Sequence, residues 1–328
     1  MRLNVTRCAD AGTWDAIVRA SPQGTVFSSS AFQRLFEEIR FQRWLVLDEE
    51  RPLVAAVVLD GMDGDRLAAP YPFARAELFL TEAALAAAPH RRVKECLEAM
   101  QALLGRLESS GSMRWRCHAG IADVRAFQWF HYHEPQLGRF AIDVRLTGWI
   151  DLQSSGGFDA YLATVRPTRR NEYRQAVRHG LTAEATADVA VLDYLHRLTF
   201  ERQGLERDPV ETAVLMRIAV AAVRDGFGEL LLARAPSGEP VSAALFLHDH
   251  MAGHYIAGAN HPDHRKLFGG TFCFLESVRA CMGRGLQRVD VCGINSPNRG
   301  DFKTSFNAAP TPYFEACWVR PPAASAAS

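Results

Sequence analysis

The sequence predicts a mixed α/β fold in two tandem halves, each a twisted sheet flanked by helices. Runs in which apolar residues alternate with polar ones, the period of a strand, are interleaved with runs of helical period. The elements come in the same order in both halves. The length, 328 residues, leaves room for two domains of about 150 residues each.

In the first half, "RLNVTRC" alternates as a strand. Helices are expected over 13–19 and 30–39, the second prefaced by "SSS", whose hydroxyls suit an N-cap. Strands are expected at 44–48, 53–60 and 66–69. Apolar spacing at Val93, Cys96, Leu97, Met100, Leu103, Leu104 and Leu107 marks a long helix over about 87–108. "MRWRCH" reads as a strand, 121–130 as a helix and "RFAIDVRL" as a strand. After a basic helical linker the second half repeats the order. "TAEATAD" is the strand, and 191–203 and 211–225 are the helices. Strands follow at 229–233, 241–248 and 253–257, the first two joined by a "PSGEP" turn. A helix over 271–285, a strand over 288–292, a short helical piece near 301–306 and the strand "YFEACWV" complete it.

Each half thus reads β-α-α-β-β-β-α-β-α-β. Antiparallel strands followed by a βαβ crossover give a mixed sheet with helices on both faces. Ligands bind such sheets where strand order or direction changes. The expected boundaries are a first domain over 1–146, a connecting strand and basic helix over 147–181, a second domain over 182–320 carrying the active site, and a disordered tail over 321–328.

Composition narrows the function. Net charge is zero, so there is no whole-surface field for DNA or an anionic membrane. No run approaches the ~18–20 apolar residues of a membrane span, and the N-terminal segment has no apolar core of a signal peptide. The cysteines, odd in number and without a CxxC pair, argue for a reducing compartment and against zinc or disulfides. The expectation is a cytoplasmic protein with no metal site. His248, His250 and His254 lie on adjacent strands, with His261 and His264 in the following loop, but nothing sets a tetrahedral ligand geometry. No GxSxG or Cys–His pattern supports a covalent route, and Cys292 reads as core.

The residues that carry chemistry gather late in the chain. Of 37 basic residues only Lys94, Lys266 and Lys303 are lysines. Lys303 sits between Phe302 and Phe306 after the loop "GINSPNRGD". Lysine is a compact, pKa-adaptable charge, whereas arginine is a fixed planar fork. The bland alternative is a loop lysine lying over two phenyl rings. Arg166, Arg170, Arg174 and Arg178 are spaced by four on a helix begun by Pro167, with Arg169 partly aside. That stripe suits phosphates or a solvated face equally. "HRKLFGGT" (264–271) precedes a helix, where free N–H groups bind anions or simply make a tight turn. Asp290, at a strand end, is either a proton acceptor for an attacking amine or the cap of the following turn.

Several of these segments resemble one family. "TVFSSSAFQRLFEE" (25–38), "RPTRRNEYRQAVRHGL" (166–181), the stretch from "YIAGANHPDHRKLFGGT" to "RVDVCGI", and "GDFKTSFNAAPTPYF" are similar in order to segments of the FemABX-like branch of the GNAT acyltransferases. The resemblance implies two tandem GNAT-like domains that join amino acids or acyl groups to amines. It implies that Arg169 and Arg170 hold an anionic substrate, that Tyr255 lines the cleft, and that Lys303 faces the acyl donor and the tetrahedral centre. Lys266, Gly269, Gly270 and Thr271 partly match the pyrophosphate loop of the GNAT fold, and Phe302 accompanies Lys303. No tightly bound cofactor is implied; acyl-CoA or aminoacyl-tRNA is the co-substrate. The Asp that relatives acting on peptidoglycan precursors carry is missing from "APYPFARAEL" (69–78), where Glu77 is the nearest carboxylate. The long coiled-coil insert is missing as well.

The expected function is therefore an amide-forming N-acyltransferase. Its donor is an acyl-CoA or acyl carrier protein thioester, and its acceptor is a small-molecule or peptide amine. Lys303, Tyr255 and Asp290 are its catalytic candidates, with Glu77 a lesser candidate base. The alternatives are an aminoacyl-tRNA-dependent transferase acting on a peptide or cell-wall precursor and a non-catalytic binding module.

Overall fold

The structure, a computed structural model, describes residues 1–36, 38–60 and 73–322. The strand expected at 66–69 and most of the tail expected over 321–328 lie outside the described residues. The chain divides into two compact units, Met1–Arg145 with Pro312–Ser328, and Leu146–Thr311.

The first unit runs β1 (Leu3–Arg7), α1 (Ala11–Ala20), α2 (Ser30–Gln33), β2 (Arg40–Asp48), β3 (Arg51–Asp60), β4 (Glu77–Leu80), α3 (Glu82–Leu85), α4 (Pro89–Leu107), β5 (Ser112–Cys117) and α5 (Arg125–Trp129). Asp10 starts α1 by accepting the Thr13 N–H at 2.6 Å. Pro89 occupies the first turn of α4, where no N–H is missed. The sheet is antiparallel from β1 to β4, and then β5 lies parallel to β4. The buried stripe of α4, with Met100, Leu103 and Leu104, packs with Trp44, Leu78 and Trp115, and Trp14 and Val18 of α1 join Leu45, Val57 and Phe79 in a separate cluster. The helices expected over 30–39 and 121–130 are shorter than their apolar spacing suggested, at four and five residues.

The second unit takes in most of β6 (Ala141–Asp151), then α6 (Phe158–Thr164), α7 (Pro167–Arg178), β7 (Thr182–Ala185), α8 (Val189–Gln203), α9 (Pro209–Asp225), β8 (Gly228–Arg234), β9 (Pro240–His248), β10 (Ala252–Asn260), α10 (Gly269–Gly283), β11 (Arg288–Asp290) and α11 (Pro297–Thr304). Asp208 caps α9, and Gly226 in the left-handed region ends it. Strands β7 to β10 form an antiparallel meander, β11 lies parallel to β10, and β6 is antiparallel to β11. The mixed α/β class expected from the sequence is what the chain adopts.

The last strand, β12 (Ala309–Val319), departs from the sequence reading, which gave residues 182–320 to the second domain. Glu315–Val319 pair antiparallel with β5 in the first unit, and Ala316 and Trp318 enter that unit's core. Likewise β6, read as the close of the first half, pairs with β11. Alternation reveals that a strand exists but not which edge it joins.

Candidate active site

Strands β10 and β11 are parallel neighbours over only three residues, Ala252–His254 against Arg288–Asp290. Beyond this point β10 runs on to Asn260, whereas β11 ends. Cys292 and Gly293, both in the left-handed region (φ 52° and 82°), turn the chain away. The two strands part here, and titratable side chains collect at this point.

Lys303 projects from α11 to this point. Its Nζ donates to the carbonyls of Cys292 at 2.8 Å and Gly293 at 3.0 Å. It lies 5.6 Å from the centre of the Tyr255 ring. Burial lowers its pKa, while the nearby Cys292 and Asp290 side chains work to raise it. The ammonium therefore does not rest between Phe302 and Phe306, as the sequence spacing suggested. Phe306 is fully buried with its ring 4.1 Å from that of Phe274. The face of Phe302 is taken by Arg169, at 4.8 Å.

Tyr255 packs among aromatic rings, 5.2 Å from Phe246 and 5.1 Å from Phe274. The register between β10 and β9 slips between Tyr255 and Ala257, which brings Tyr255 over Gly258. A Cβ on Gly258 would stand 1.9 Å from the Tyr255 hydroxyl oxygen, so only glycine fits beneath it. Burial pushes the phenol pKa well up.

Asp290, at the end of β11, accepts on Oδ1 from the Thr147 hydroxyl and, at 2.8 Å, from the Cys292 N–H, which caps the turn. Its Oδ2 faces Nδ1 of His254 at 3.8 Å. His254 Nε2 in turn donates to Asp249 Oδ2 at 2.6 Å. Asp249 also takes the N–H groups of Met251 and Ala252 in the β9–β10 turn, at 2.8 and 2.7 Å. Burial opposes the charge on His254, but the charge and hydrogen bond of Asp249, with bonds to Asp290 and Cys292, outweigh it and raise its pKa well above 6.5. The half-buried His248 is pushed down to about 4, mainly by the burial of its ring.

The first arginines of α7 are tied to neighbouring elements, and the later ones are exposed. Arg166 makes a two-pronged pair with Asp301 of α11, at 2.9 and 3.1 Å. Arg169 donates to Ser305 Oγ at 2.9 Å and to Glu172 at 2.6 Å while stacking on Phe302. Arg170 reaches back to the Ala163 carbonyl of α6 at 3.0 Å. Arg174 and Arg178 are exposed. The same Glu172 oxygen accepts from Thr271 at the start of α10 at 2.5 Å. No side chain caps that helix. Gly269 and Gly270 have packing reasons to be glycine, since a Cβ would stand 2.4 Å from Val241 and 2.5 Å from Asn260. Lys266, in the turn before α10, is exposed.

The structure thus brings Lys303, Tyr255 and Asp290 together, and links Arg169, Phe302 and Thr271 through α7, α10 and α11. Arg170 and Lys266 stand outside that group. Glu77 belongs to the first unit, buried there and accepting from Thr25 at 2.7 Å and Ser28 at 2.6 Å. Sequence reasoning missed Thr147 and the Asp249–His254 pair, and read Cys292 as core where the structure leaves it half-exposed at the turn. The visible signal was "HDHMAGH", a hairpin turn whose aspartate precedes a strand histidine.

The model of the acetyltransferase (GNAT) domain family matches residues 164–304, the stretch that holds this constellation. The crystal structure of FemX is similar to the chain with a TM-score of 0.73 at 14% identity, over 97% of each chain. A tandem GNAT protein from the clavulanic acid biosynthesis pathway gives 0.53 at 12% identity, over 98% of this chain and 100% of that one. L-PGS from Bacillus licheniformis gives 0.53 at 10% identity, over 94% and 91%. At such identities the likeness is one of fold. No curated protein matches the chain. The fold defines the class, a tandem GNAT-fold protein like FemX. Across residues 164–304 of its second unit the chain matches a GNAT acetyltransferase domain, and its fold is that of FemX.

Proposed function

We propose that the protein is an amide-forming N-acyltransferase that moves an acyl group from a CoA or carrier-protein thioester to an amine. The observation that carries this reading is Lys303, a cation fixed by two carbonyls where β10 and β11 part, above Tyr255. An ammonium has three donors, and two are occupied by those carbonyls. The third serves the oxygen of the acyl group as it gains charge. Aminolysis of a thioester needs the amine and carbonyl held in line and the oxyanion stabilised. Arg169, braced by Glu172 and stacked on Phe302, and the uncapped start of α10 are the groups for the anionic part of the donor. Asp290, tied to Thr147 and the Cys292 N–H on one oxygen and facing His254 on the other, is the carboxylate nearest Lys303 and the candidate proton acceptor for the amine.

An aminoacyl-tRNA donor is the second reading, and the exposed Arg174 and Arg178 are the observation on its side. The test gives purified protein acetyl-CoA with a panel of primary amines and follows released thiol. A parallel reaction supplies aminoacyl-tRNA and the same amines. Amine-dependent thiol release supports the first reading. Deacylation of tRNA without thiol release replaces it with the second.

A further inference from the structure

The buried pair Asp249–His254 has no task in the aminolysis above. It lies beside the half-exposed cysteine, Cys292, whose carbonyl holds Lys303. The Cys292 Sγ, a His254 ring nitrogen and an Asp290 oxygen lie within 4.8 Å of one another. Asp249 accepts from Nε2 at 2.6 Å, which fixes that nitrogen as the donor and turns Nδ1 toward Cys292 and Asp290. Nucleophile, base and orienting carboxylate in this order are the parts of an activated-nucleophile site, and such contacts are looser without substrate. The setting of Cys292 differs from that of the chain's buried cysteines. Burial pushes the thiols of Cys117, Cys273 and Cys281 up to about 12.

We propose that Cys292, His254 and Asp249 form a nucleophile triad in which Cys292 Sγ takes the acyl group from a thioester before the amine does, a step that rests on the acyl-transfer reading above. The balance is that of thioester exchange. The Cys292 proton rests on His254 Nδ1, and the thiolate Sγ forms a bond to the acyl carbon. The carbonyl pair moves to oxygen, beside Lys303. As it returns, the bond from carbon to the donor's sulfur breaks, and that sulfur takes the proton from His254. In the second half the amine nitrogen bonds to the acyl carbon, the bond to Cys292 breaks, and the proton lost by the amine returns to His254 Nδ1. No oxidant or further reactant enters. Asp249 is a positioning residue that touches neither substrate. The charged groups facing the thiol are His254, Asp290 and Lys303, with Asp249 behind the imidazole.

The test uses the full chain and two probes. The first is p-nitrophenyl acetate, an activated acyl donor that needs no CoA site. The second is acetyl-CoA. Peptide mass spectrometry after acid quenching should find one acetyl group on Cys292 with either probe, removable by hydroxylamine and absent in Cys292→Ala. Iodoacetamide, on wild-type protein, should alkylate Cys292 about tenfold or more faster than the half-exposed Cys8 and Cys317 near pH 6.5. Its rate should stay nearly flat to pH 8.5, whereas the rate of an ordinary thiol climbs steeply over that range. His254→Gln should remove the excess rate. The wild-type pH profile keeps the test decisive if that variant does not fold.

Labelling of Cys292 by p-nitrophenyl acetate without reaction with acetyl-CoA would leave the triad standing and overturn the CoA donor. Amine-dependent turnover of acetyl-CoA at the wild-type rate in Cys292→Ala would overturn the triad and leave the acyltransferase reading intact. So would alkylation of Cys292 no faster than Cys8, or a stoichiometric zinc ion that shields it and leaves on chelation, for the three side chains would then be ligands.

Discussion

The two units make the same crossover and furnish it differently. In the first, β4 and β5 are parallel neighbours joined through α4. In the second, β10 and β11 are parallel neighbours joined through α10. All four residues of β4 are buried, and Thr81 caps a short helix directly after the strand. Its one carboxylate, Glu77, is spent on the hydroxyls of Thr25 and Ser28. In the second unit β10 runs six residues past its last pairing with β11, and Lys303, Asp290, His254 and Cys292 gather where the strands part. Both units also lay an arginine on a phenyl face beside a glutamate. Arg75 lies over Phe27 at 3.4 Å near Glu77, and Arg169 over Phe302 at 4.8 Å near Glu172. One topology thus carries a structural use of these groups in one unit and a cluster of titratable groups in the other. Fold alone does not decide function; what stands at the strand ends does.

The largest effect that this contrast predicts is at Lys303. Lys303→Ala should lower kcat and kcat/KM together by about 10²–10³-fold, the cost of one oxyanion donor. Lys303→Arg should recover only part of this, because a planar fork cannot sit on the carbonyls of Cys292 and Gly293 as a point charge does. Glu77→Gln, the matched change in the first unit, should lower the melting temperature and leave kcat per folded molecule within about twofold, a buried hydrogen-bond loss being worth ~1–3 kcal/mol of stability. Wild-type turnover in Lys303→Ala would erase the distinction between the units. Next comes the arginine pair. Arg169→Ala should raise the KM of an anionic donor by roughly ten- to hundredfold, as expected for the loss of one charge-assisted contact. Arg75→Ala should leave that KM unchanged, and a rise in both would show that the first unit also holds substrate.

The contrast was only half legible in the sequence. β8, β9 and α10 stand out as apolar runs because consecutive residues in them are buried, and α9 stands out by its buried stripe of Val214, Leu215, Ile218, Ala219, Ala221 and Ala222. Lys303 stood out because lysine is scarce, and Asp290 because it ends an apolar run before a turn. The Asp249–His254 pair did not, since the two are five positions apart and only the return of the β9–β10 hairpin brings them within 2.6 Å. The partners of the first α7 arginines were also hidden. Spacing by four puts arginines on one face, but Asp301 and Ser305, which receive Arg166 and Arg169, lie more than 130 residues away. The partner of β12 was out of reach for the same reason, as its strand pattern suits any sheet edge.

A smaller effect tests the packing under the site. Gly258→Ala should displace the Tyr255 ring and destabilise the second unit by about 1–3 kcal/mol, the usual range for an inserted methyl group in a filled space. Removing the hydroxyl eases the clash, because the next nearest ring atom is 2.9 Å from the added Cβ rather than 1.9 Å. The double variant Tyr255→Phe with Gly258→Ala should therefore melt higher than Gly258→Ala alone. Equal melting temperatures would mean that the ring, not its hydroxyl, sets the space at Gly258.

The smallest effect is a pH dependence that belongs to the second unit. Burial holds the His248 imidazole down at about 4 from an ordinary 6.5, with Arg284 and His254 pushing the same way and Asp249 opposing. Between those two values the unfolded chain binds a proton that the folded chain refuses, so stability rises with pH across this window. His254 has the opposite sign. Its raised pKa means that its stabilisation is complete below 6.5 and is lost as pH climbs through the folded value. Asp249, held below its usual range despite burial by His254 and two backbone N–H groups, keeps its contribution until the pH falls below about 4. The melting temperature should therefore peak near pH 6.5, with a few degrees lost on either side. His248→Gln should flatten the acid limb and leave the limb above pH 6.5 in place, as followed by thermal melts from pH 4.5 to 8. An acid limb unchanged in His248→Gln would assign it to groups elsewhere in the chain and remove the claim that the second unit alone sets this response.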